Sequence, residues 1–512
     1  MAAMWAGVPY VPVSSAYSPI SQDYGKLRHI LDTVTPGLVF ASGAAYAKAI
    51  AAVVPDDVMV VLTGGLAEAA ATGLLAGRDV RAFDTLFFAR PGPALAAANA
   101  AIGPDTIAKF LFTSGSTKAP KGVINTHRML CANQQQLRQC LAFLAEAPPV
   151  LVDWLPWNHT FGGNHHVGLT LYNGGTLCID EGKPKPKGIA QTLRNLREIS
   201  PTIYFNVPKG FEEIATAMDS DTVLRDTLFK RCKTFMFAGA GLSQSVWDKL
   251  DSHAEAALGE RLRIITGLGM TETAPSCTFM VGTHARSGWI GLPVPGVDVK
   301  LIKDGSTGDQ TEIRFRSPNV MPGYWRAPEQ TREAFDDEGL YRTGDAACWV
   351  DAARPGLGLM FDGRITEDFK LSTGTFVSVG PLRAKITMAG DPCVQDAVIT
   401  GLNRDEVGAM IFPRPDECRK LSDLAERHAA ARDPHQVRQG RDLWPGHRSA
   451  YLHRALGCQD FSPPASGPSR RRVDVRGHRG AGFCGARPGP SRPHQGCRDS
   501  RRHQGLVPLM SH

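Results

Sequence analysis

The segment Phe112-Thr-Ser-Gly-Ser-Thr-Lys-Ala-Pro-Lys121-Gly122 gathers four hydroxyls, two glycines and two lysines into eleven residues. Such a stretch suits a polyphosphate. Glycines let the chain approach closely, and backbone N–H groups, hydroxyls and an ammonium then face the anion. Thr113, Ser114, Ser116 and Thr117 supply the hydroxyls, Gly115 and Gly122 the close approach, and Lys121 the charge. A Walker A loop is excluded, because its Gly-x-x-x-x-Gly-Lys-[Ser/Thr] spacing is absent. Read alone, the same residues would also make an ordinary polar surface loop.

Four further segments follow. Gly267-Leu-Gly-Met-Thr271-Glu272 places a hydroxyl beside a carboxylate after a glycine turn. Mg²⁺ takes oxygen ligands, typically one or two carboxylates plus phosphate oxygens. Ala238-Gly239-Ala240-Gly241-Leu242 is a run of small residues after an apolar stretch. Tyr341-Arg-Thr-Gly-Asp345 ends in a carboxylate able to accept two hydrogen bonds. Phe361-Asp-Gly-Arg364-Ile-Thr-Glu367-Asp368 is a charged turn. Each alone could be a helix cap or a plain turn; their order gives them weight.

In that order the segments resemble the AMP-forming adenylating superfamily: acyl-CoA ligases, peptide-synthetase adenylation domains and luciferases. The resemblance implies that the Thr113–Gly122 loop holds the phosphates of ATP, with Lys121 in a catalytic role. It implies that Thr271 contacts the α-phosphate and that Glu272 holds Mg²⁺. Gly239, Ala240 and Gly241 would lie against adenine, Asp345 would bind ribose, and Arg364 would contact ribose or phosphate at the hinge to a small C-terminal domain. Departures are Lys118 where the family usually has glycine, Leu268 where it often has an aromatic, and one extra residue between Arg364 and Gly374, which leaves the hinge acid open between Glu367 and Asp368. The family's C-terminal lysine has no counterpart, since the last lysine is Lys420.

Asp153-Trp-Leu-Pro-Trp157-Asn-His159-Thr-Phe161-Gly162-Gly-Asn-His-His166 is rich in aromatics and histidines. The resemblance places His159, in a catalytic role, with Phe161 and Gly162 around the acid substrate. A three-histidine zinc site is disfavoured, because the adjacent His165 and His166 point in different directions in regular structure. A buried histidine cluster is the competing reading. This run, the Glu367–Arg383 segment and Gly401–Glu406 resemble feruloyl-CoA synthases more than fatty-acid ligases. The implied partners are a small aromatic carboxylic acid such as ferulate, ATP and CoA, with Mg²⁺. A nucleotide-binding remnant without turnover is the alternative.

Short strands must position these segments. Apolar runs at Lys109–Phe112, Val150–Leu155, Thr202–Phe205, Thr234–Phe237 and Arg263–Thr266 alternate with helical spacing at Ile189–Glu198 and Ser243–Leu258. The alternation predicts an α/β fold with parallel sheets covered by helices. From about Gly291 closely spaced runs, Val297–Ile302 and Thr311–Arg316, predict a small antiparallel β subdomain. With the resemblance, which covers roughly Ala2 to Glu417, the expected organisation has three parts. Residues 1–361 form a large adenylate-forming N-terminal domain missing its usual first part. Residues 362–418 form a hinge and a small, incomplete C-terminal domain. Residues 419–512 form an Arg-rich tail, expected to be disordered for want of apolar clusters.

The net charge of +7 is concentrated in that tail: from Leu421 onward there are 16 Arg, no Lys and 7 acids, leaving the rest at −2. A folded nucleic-acid reader is therefore not expected. The Lys-free composition resembles GC-rich DNA translated in a shifted frame. No apolar run approaches the ~18–20 residues of a membrane span, and no signal peptide is read at the start. The 11 cysteines lack Cys-x-x-Cys spacing, which fits reduced thiols and a cytoplasmic location. Oligomeric state is not readable.

Overall fold

The computed structural model describes residues 1–420 except 114–118, 186, 283–284, 304–309, 374 and 392. Ser114, Gly115, Ser116 and Thr117 of the hydroxyl-rich loop, and the tail from Leu421 onward, lie outside the described residues. The predicted tail boundary at 419 falls inside a short Pro415–Lys420 helix.

The first sheet is parallel, with β1 (Leu38–Ala41), β2 (Met59–Leu62) and β3 (Val80–Ala82) side by side in that order. The Gly25–Val34 and Ala47–Val53 helices cover one face, sealing Leu27, Leu31, Ile50 and Val53 against Val60 and Leu62. The chain then forms an antiparallel pair, β4 (Ile107–Thr113) and β5 (Lys121–Thr126), joined by the hydroxyl-rich loop. This corrects the expectation that the strand before the loop joins a parallel sheet; its partner is the strand that leaves the loop. Thr126 caps the following His127–Cys140 helix by accepting from Met129 N–H.

The central layer is parallel. β6 (Val150–Asp153) pairs with β7 (Thr176–Ile179). Next come β8 (Ile203–Asn206), β9 (Thr234–Phe237) and β10 (Arg263–Ile265), in the order β10-β9-β8. Thr202 N–H donates to Val150 O at 2.8 Å, which sets β8 beside β6. These strands read as unbroken apolar runs because both faces are buried. Tyr204, Phe235, Phe237 and Ile264 face Phe211, Leu228 and Leu250 of the outer helices. Ile203, Phe205, Met236 and Ile265 face Leu137 and Phe161 on the other side. Each such buried side chain contributes about 1.5–3 kcal/mol. The predicted Ile189–Glu198 helix has those bounds. The Ser243–Leu258 helix starts one residue later, because Ser243 is its cap and accepts from Val246 N–H.

A six-stranded antiparallel sheet follows. It comprises β11 (Thr278–Phe279), β12 (Trp289–Pro293), β13 (Asp298–Ile302), β14 (Glu312–Arg316), β15 (Tyr341–Trp349) and β16 (Leu359–Arg364), ordered β11-β12-β16-β15-β14-β13. It starts earlier than expected from the sequence, at Thr278 rather than near Gly291. Two hairpins complete the described chain: β17 (Phe369–Lys370) with β18 (Phe376–Val377), and β19 (Val394–Thr400) with β20 (Gly408–Pro413). The Val379–Ala389 helix packs against β19, and its Val379 shares a small core with Val377 and Ile399. Among the described residues no helix is long and apolar enough to cross a membrane.

Candidate active site

Lys121 opens β5, opposite Thr113 at the end of β4, so the hairpin register places the loop's charge against its first hydroxyl. The Lys121 ammonium sits 4.0 Å from the centre of the Tyr324 ring. Glu272 lies in a single 3₁₀ turn, Thr271–Thr273. That turn is set by a close backbone crossing, where a Cβ on Gly269 would stand 1.8 Å from Pro275 O. Thr271 is half-buried, while Glu272 is 7% exposed and accepts a 2.9 Å hydrogen bond from the Tyr324 hydroxyl. Burial raises the Glu272 carboxyl above its ordinary range, opposed by the Tyr324 hydrogen bond and by the charges of Lys121 and Arg364.

Asp345 and Arg364 are directly paired residues on β15 and β16, with Nε 3.1 Å from Oδ1. The Thr343-Gly344-Asp345 turn is a bulge. Gly344 takes φ +70°, Thr343 Oγ1 donates to Ile313 O at 2.6 Å, and Glu312 accepts from Gly344 N–H at 3.1 Å. Asp345 is 3% exposed, and burial pushes its carboxyl up to about 6; Arg364 pulls it down, while Glu367 and Glu272 raise it further. These mutual influences place Lys121, Glu272, Asp345 and Arg364 in one electrostatic neighbourhood.

Gly239, Ala240 and Gly241 follow β9 as an exposed ledge, and a Cβ on Gly239 or Gly241 would meet nothing within 4 Å. At the hinge, Asp368 accepts from Val379 N–H at 2.7 Å and so holds the start of the Val379–Ala389 helix, whereas Glu367 is exposed.

His159 lies at the surface and Phe161 in the interior. The His159 Nδ1 accepts from Phe161 N–H at 3.2 Å, which leaves the ring proton on Nε2. Burial of the inner side of the ring and the proximity of His166 hold its pKa below the ordinary range. Gly162 is buried under Pro156 O, 2.6 Å from where a Cβ would stand. Residues Phe161–His166 form a π-helical turn, a geometry frequent at functional sites. It overturns the expectation that His165 and His166 diverge. Their rings are 5.3 Å apart and both pack on Phe205, at 5.1 and 4.1 Å. Asp153 Oδ2 lies 3.0 Å from His166 Nδ1.

Several contributors carry no signal in the sequence pattern. Lys109 on β4 is 2% exposed, and its ammonium reaches Gly163 O at 3.3 Å and the Tyr10 hydroxyl at 3.4 Å. Burial lowers its pKa to about 8. Asn164 donates to Asn125 on β5 at 2.7 Å, so two polar links tie the hairpin to the His159 segment. The Asn319–Trp325 stretch is a third element. Asn319 donates to Thr273 O at 2.6 Å and Met321 N–H to Glu272 O at 2.8 Å. Only an aromatic after Pro-Gly at 322–324 could have drawn attention to it.

Residues 1–325 match the AMP-binding enzyme family. The peroxisomal long chain acyl-CoA synthetase 6 of Arabidopsis thaliana is 28% identical over 316 residues, 54% of this chain and 43% of that protein. The probable CoA ligase CCL8 of Humulus lupulus is 26% identical over 349 residues, 63% of this chain and 54% of that protein. The chain thus spans about half the length of these relatives. Among solved structures, ATP-bound MatB from Rhodopseudomonas palustris superposes with TM-score 0.58 at 23% identity, covering 80% of this chain and 75% of that one. The anthranilate CoA ligase AuaEII with anthranoyl-AMP gives TM-score 0.59 at 18% identity, covering 83% and 75%. At that identity the likeness shows a shared fold.

Proposed function

We propose that this chain, which belongs to the AMP-binding enzyme family, joins a hydroxycinnamic acid such as ferulate to coenzyme A through an acyl-adenylate. The observation that carries the reading is that Lys121 and Glu272 meet at the Tyr324 ring and Asp345 pairs with Arg364, although these residues come from segments far apart in sequence. Such a site offers a cation to the phosphates, a carboxylate to a metal, and a carboxylate to the ribose hydroxyls.

The substrate carboxylate attacks the α-phosphorus of ATP, the bond to the pyrophosphate oxygen breaks, and the thiolate of CoA then displaces AMP. Lys121 stabilises charge on the phosphates, Thr271 supplies a hydroxyl at the α-phosphate, and Thr113 and Gly122 frame the loop. Asp345 accepts from the ribose, Arg364 holds Asp345 in place, and the Gly239–Gly241 ledge receives the base. Mg²⁺ fits Glu272: a buried carboxylate kept above its ordinary range gains from a nearby cation, and one carboxylate with phosphate oxygens is a normal Mg²⁺ donor set. When bound, Mg²⁺ would offset negative charge as pyrophosphate leaves.

The acid reading rests on the Trp157–His166 segment. Trp157 is 47% exposed, and its flat ring suits a planar acid; with Nδ1 accepting from Phe161 N–H, His159 carries its proton on Nε2, the atom that would face a carboxylate. The test is incubation of the protein with ATP, Mg²⁺, ferulate and CoA while following pyrophosphate release and thioester formation. Both signals should depend on ferulate. Equal turnover with malonate or a long-chain fatty acid would overturn the aromatic assignment, and binding of ATP without any acid-dependent turnover would leave only a nucleotide-binding protein.

A further inference from the structure

Tyr324, Lys121 and Glu272 meet between the phosphate hairpin and the Glu272 turn. The Tyr324 side chain is 5% exposed, with the Lys121 ammonium 4.0 Å from its ring centre. Its hydroxyl donates to Glu272 Oε1 at 2.9 Å. Tyr341, also 5% exposed, belongs to the same buried cluster as Tyr324. One rigid ring therefore contacts a cation through its face and a carboxylate through its edge.

The backbone around Tyr324 is fixed on both sides. Ile124 N–H donates to Gly323 O at 3.2 Å and Trp325 N–H to Gly122 O at 2.8 Å, forming an isolated antiparallel bridge between Tyr324 and Val123 of β5. Tyr324 N–H donates to Thr331 Oγ1 at 2.9 Å. On the other side Met321 N–H donates to Glu272 O and Asn319 to Thr273 O. A lysine has four rotatable bonds and a glutamate three, so neither fixes its own head group. A tyrosine has two, and here its backbone is held by both neighbours.

We propose that Tyr324 is a positioning residue for adenylation, setting the separation between the Lys121 ammonium and the Glu272 carboxylate so that phosphate and metal are bound in register. The inference rests on the phosphate and metal roles given above for Lys121 and Glu272. The two contacts are separable. Phenylalanine keeps the ring under Lys121 and removes the donor to Glu272; leucine removes both.

The experiment measures ATP binding to the full chain by calorimetry, with and without Mg²⁺, for the wild type, Tyr324→Phe, Tyr324→Leu, Glu272→Gln and the Tyr324→Phe/Glu272→Gln double variant, each checked for folding by its thermal midpoint. Tyr324→Phe should bind Mg²⁺-free ATP within about twofold of the wild type and lose roughly tenfold or more of the Mg²⁺-dependent gain, as expected for a hydrogen bond to a charged group. In the Glu272→Gln background the same change should add almost nothing. Tyr324→Leu should also weaken Mg²⁺-free binding by roughly 2–30-fold, the range of a cation–π contact. A merely structural tyrosine would weaken both kinds of binding together. An unchanged Mg²⁺ gain in Tyr324→Phe, or full additivity with Glu272→Gln, overturns the proposal, and Tyr324→Phe and the double variant decide it even if Tyr324→Leu does not fold. Wild-type ATP binding with no response to Mg²⁺ would instead overturn the metal role of Glu272, and a wild type that binds no ATP would overturn the nucleotide reading itself.

Discussion

Replacing Asp345 by asparagine should stabilise the protein at neutral pH while weakening its hold on ATP. Burial raises this carboxyl to about 6 in the folded chain, against about 3.9 for an unfolded aspartate. Between those values the folded state keeps a proton that the unfolded state has released. Stability from this group is therefore fully present below about pH 4 and is lost as pH rises through about 6. Two pKa units at about 1.4 kcal/mol each give an upper bound of roughly 3 kcal/mol. Asparagine has nearly the same shape and carries no charge to bury. The lost pairing with Arg364, whose side chain is 58% exposed, costs little. Thermal unfolding across pH 4–8 should put the variant above the wild type by a few degrees at about pH 7.5, with the gap closing toward pH 4. ATP binding, followed by calorimetry, should weaken roughly 10–100-fold, as for loss of hydrogen bonds to a charged acceptor. A variant less stable than the wild type at pH 7.5, or a gap equally large at pH 4, would refute the argument that burial without ligand destabilises this carboxylate.

Lys121→Ala should lower acid-dependent ATP–pyrophosphate exchange by about 10²–10³, as for loss of one preorganised electrostatic contact; exchange within a factor of three of wild type would remove Lys121 from the chemistry. Lys109 has the opposite sign to Asp345. Its folded pKa of about 8 lies below the unfolded ~10.4, so wild-type stability should rise between about pH 8 and 10 while Lys109→Met shows no such rise, as read from denaturant midpoints. Gly163→Ala would push a Cβ to 2.2 Å from Trp157 O. It should cost about 1–3 kcal/mol or more in unfolding free energy, and an unchanged midpoint would show that the π turn can relax.

The legible part of this protein is the part set by short-range rules. Strands such as β9 and helices such as Ile189–Glu198 were readable because their periodicity is local and their ends carry turn residues or caps. Asp345 and Arg364 were readable as separate turns, but their direct pairing across two strands depends on a bulge that shifts register between Asp345 and Ala347. The divergence expected of His165 and His166 assumed regular structure, and one π turn removed it. The strand β4 was read as one more buried apolar run, because antiparallel and parallel strands look alike when both faces are covered; Ala108, Lys109, Phe110 and Leu111 are all buried. Lys109 was invisible because its partners are a carbonyl and a phenol distant in sequence.

Tyr324 shows the same limit from the other direction. Nothing about a tyrosine after glycine distinguishes a core ring from one held between a cation and an anion. Only the fold brings β5, the Glu272 turn and the Asn319–Trp325 stretch to one point. Glu272 and Asp345 are both nearly buried, both raised above the carboxylate range by burial, and each within the field of Arg364. Folding alone gains nothing from two such groups in one place; apolar residues of the same volume would pack there without the desolvation cost. Under the proposed reading, a ligand that supplies a cation to one and hydroxyl donors to the other would offset that cost beyond what Tyr324 and Arg364 already do. That asymmetry, more than any single motif, argues that this corner of the fold is built around a nucleotide.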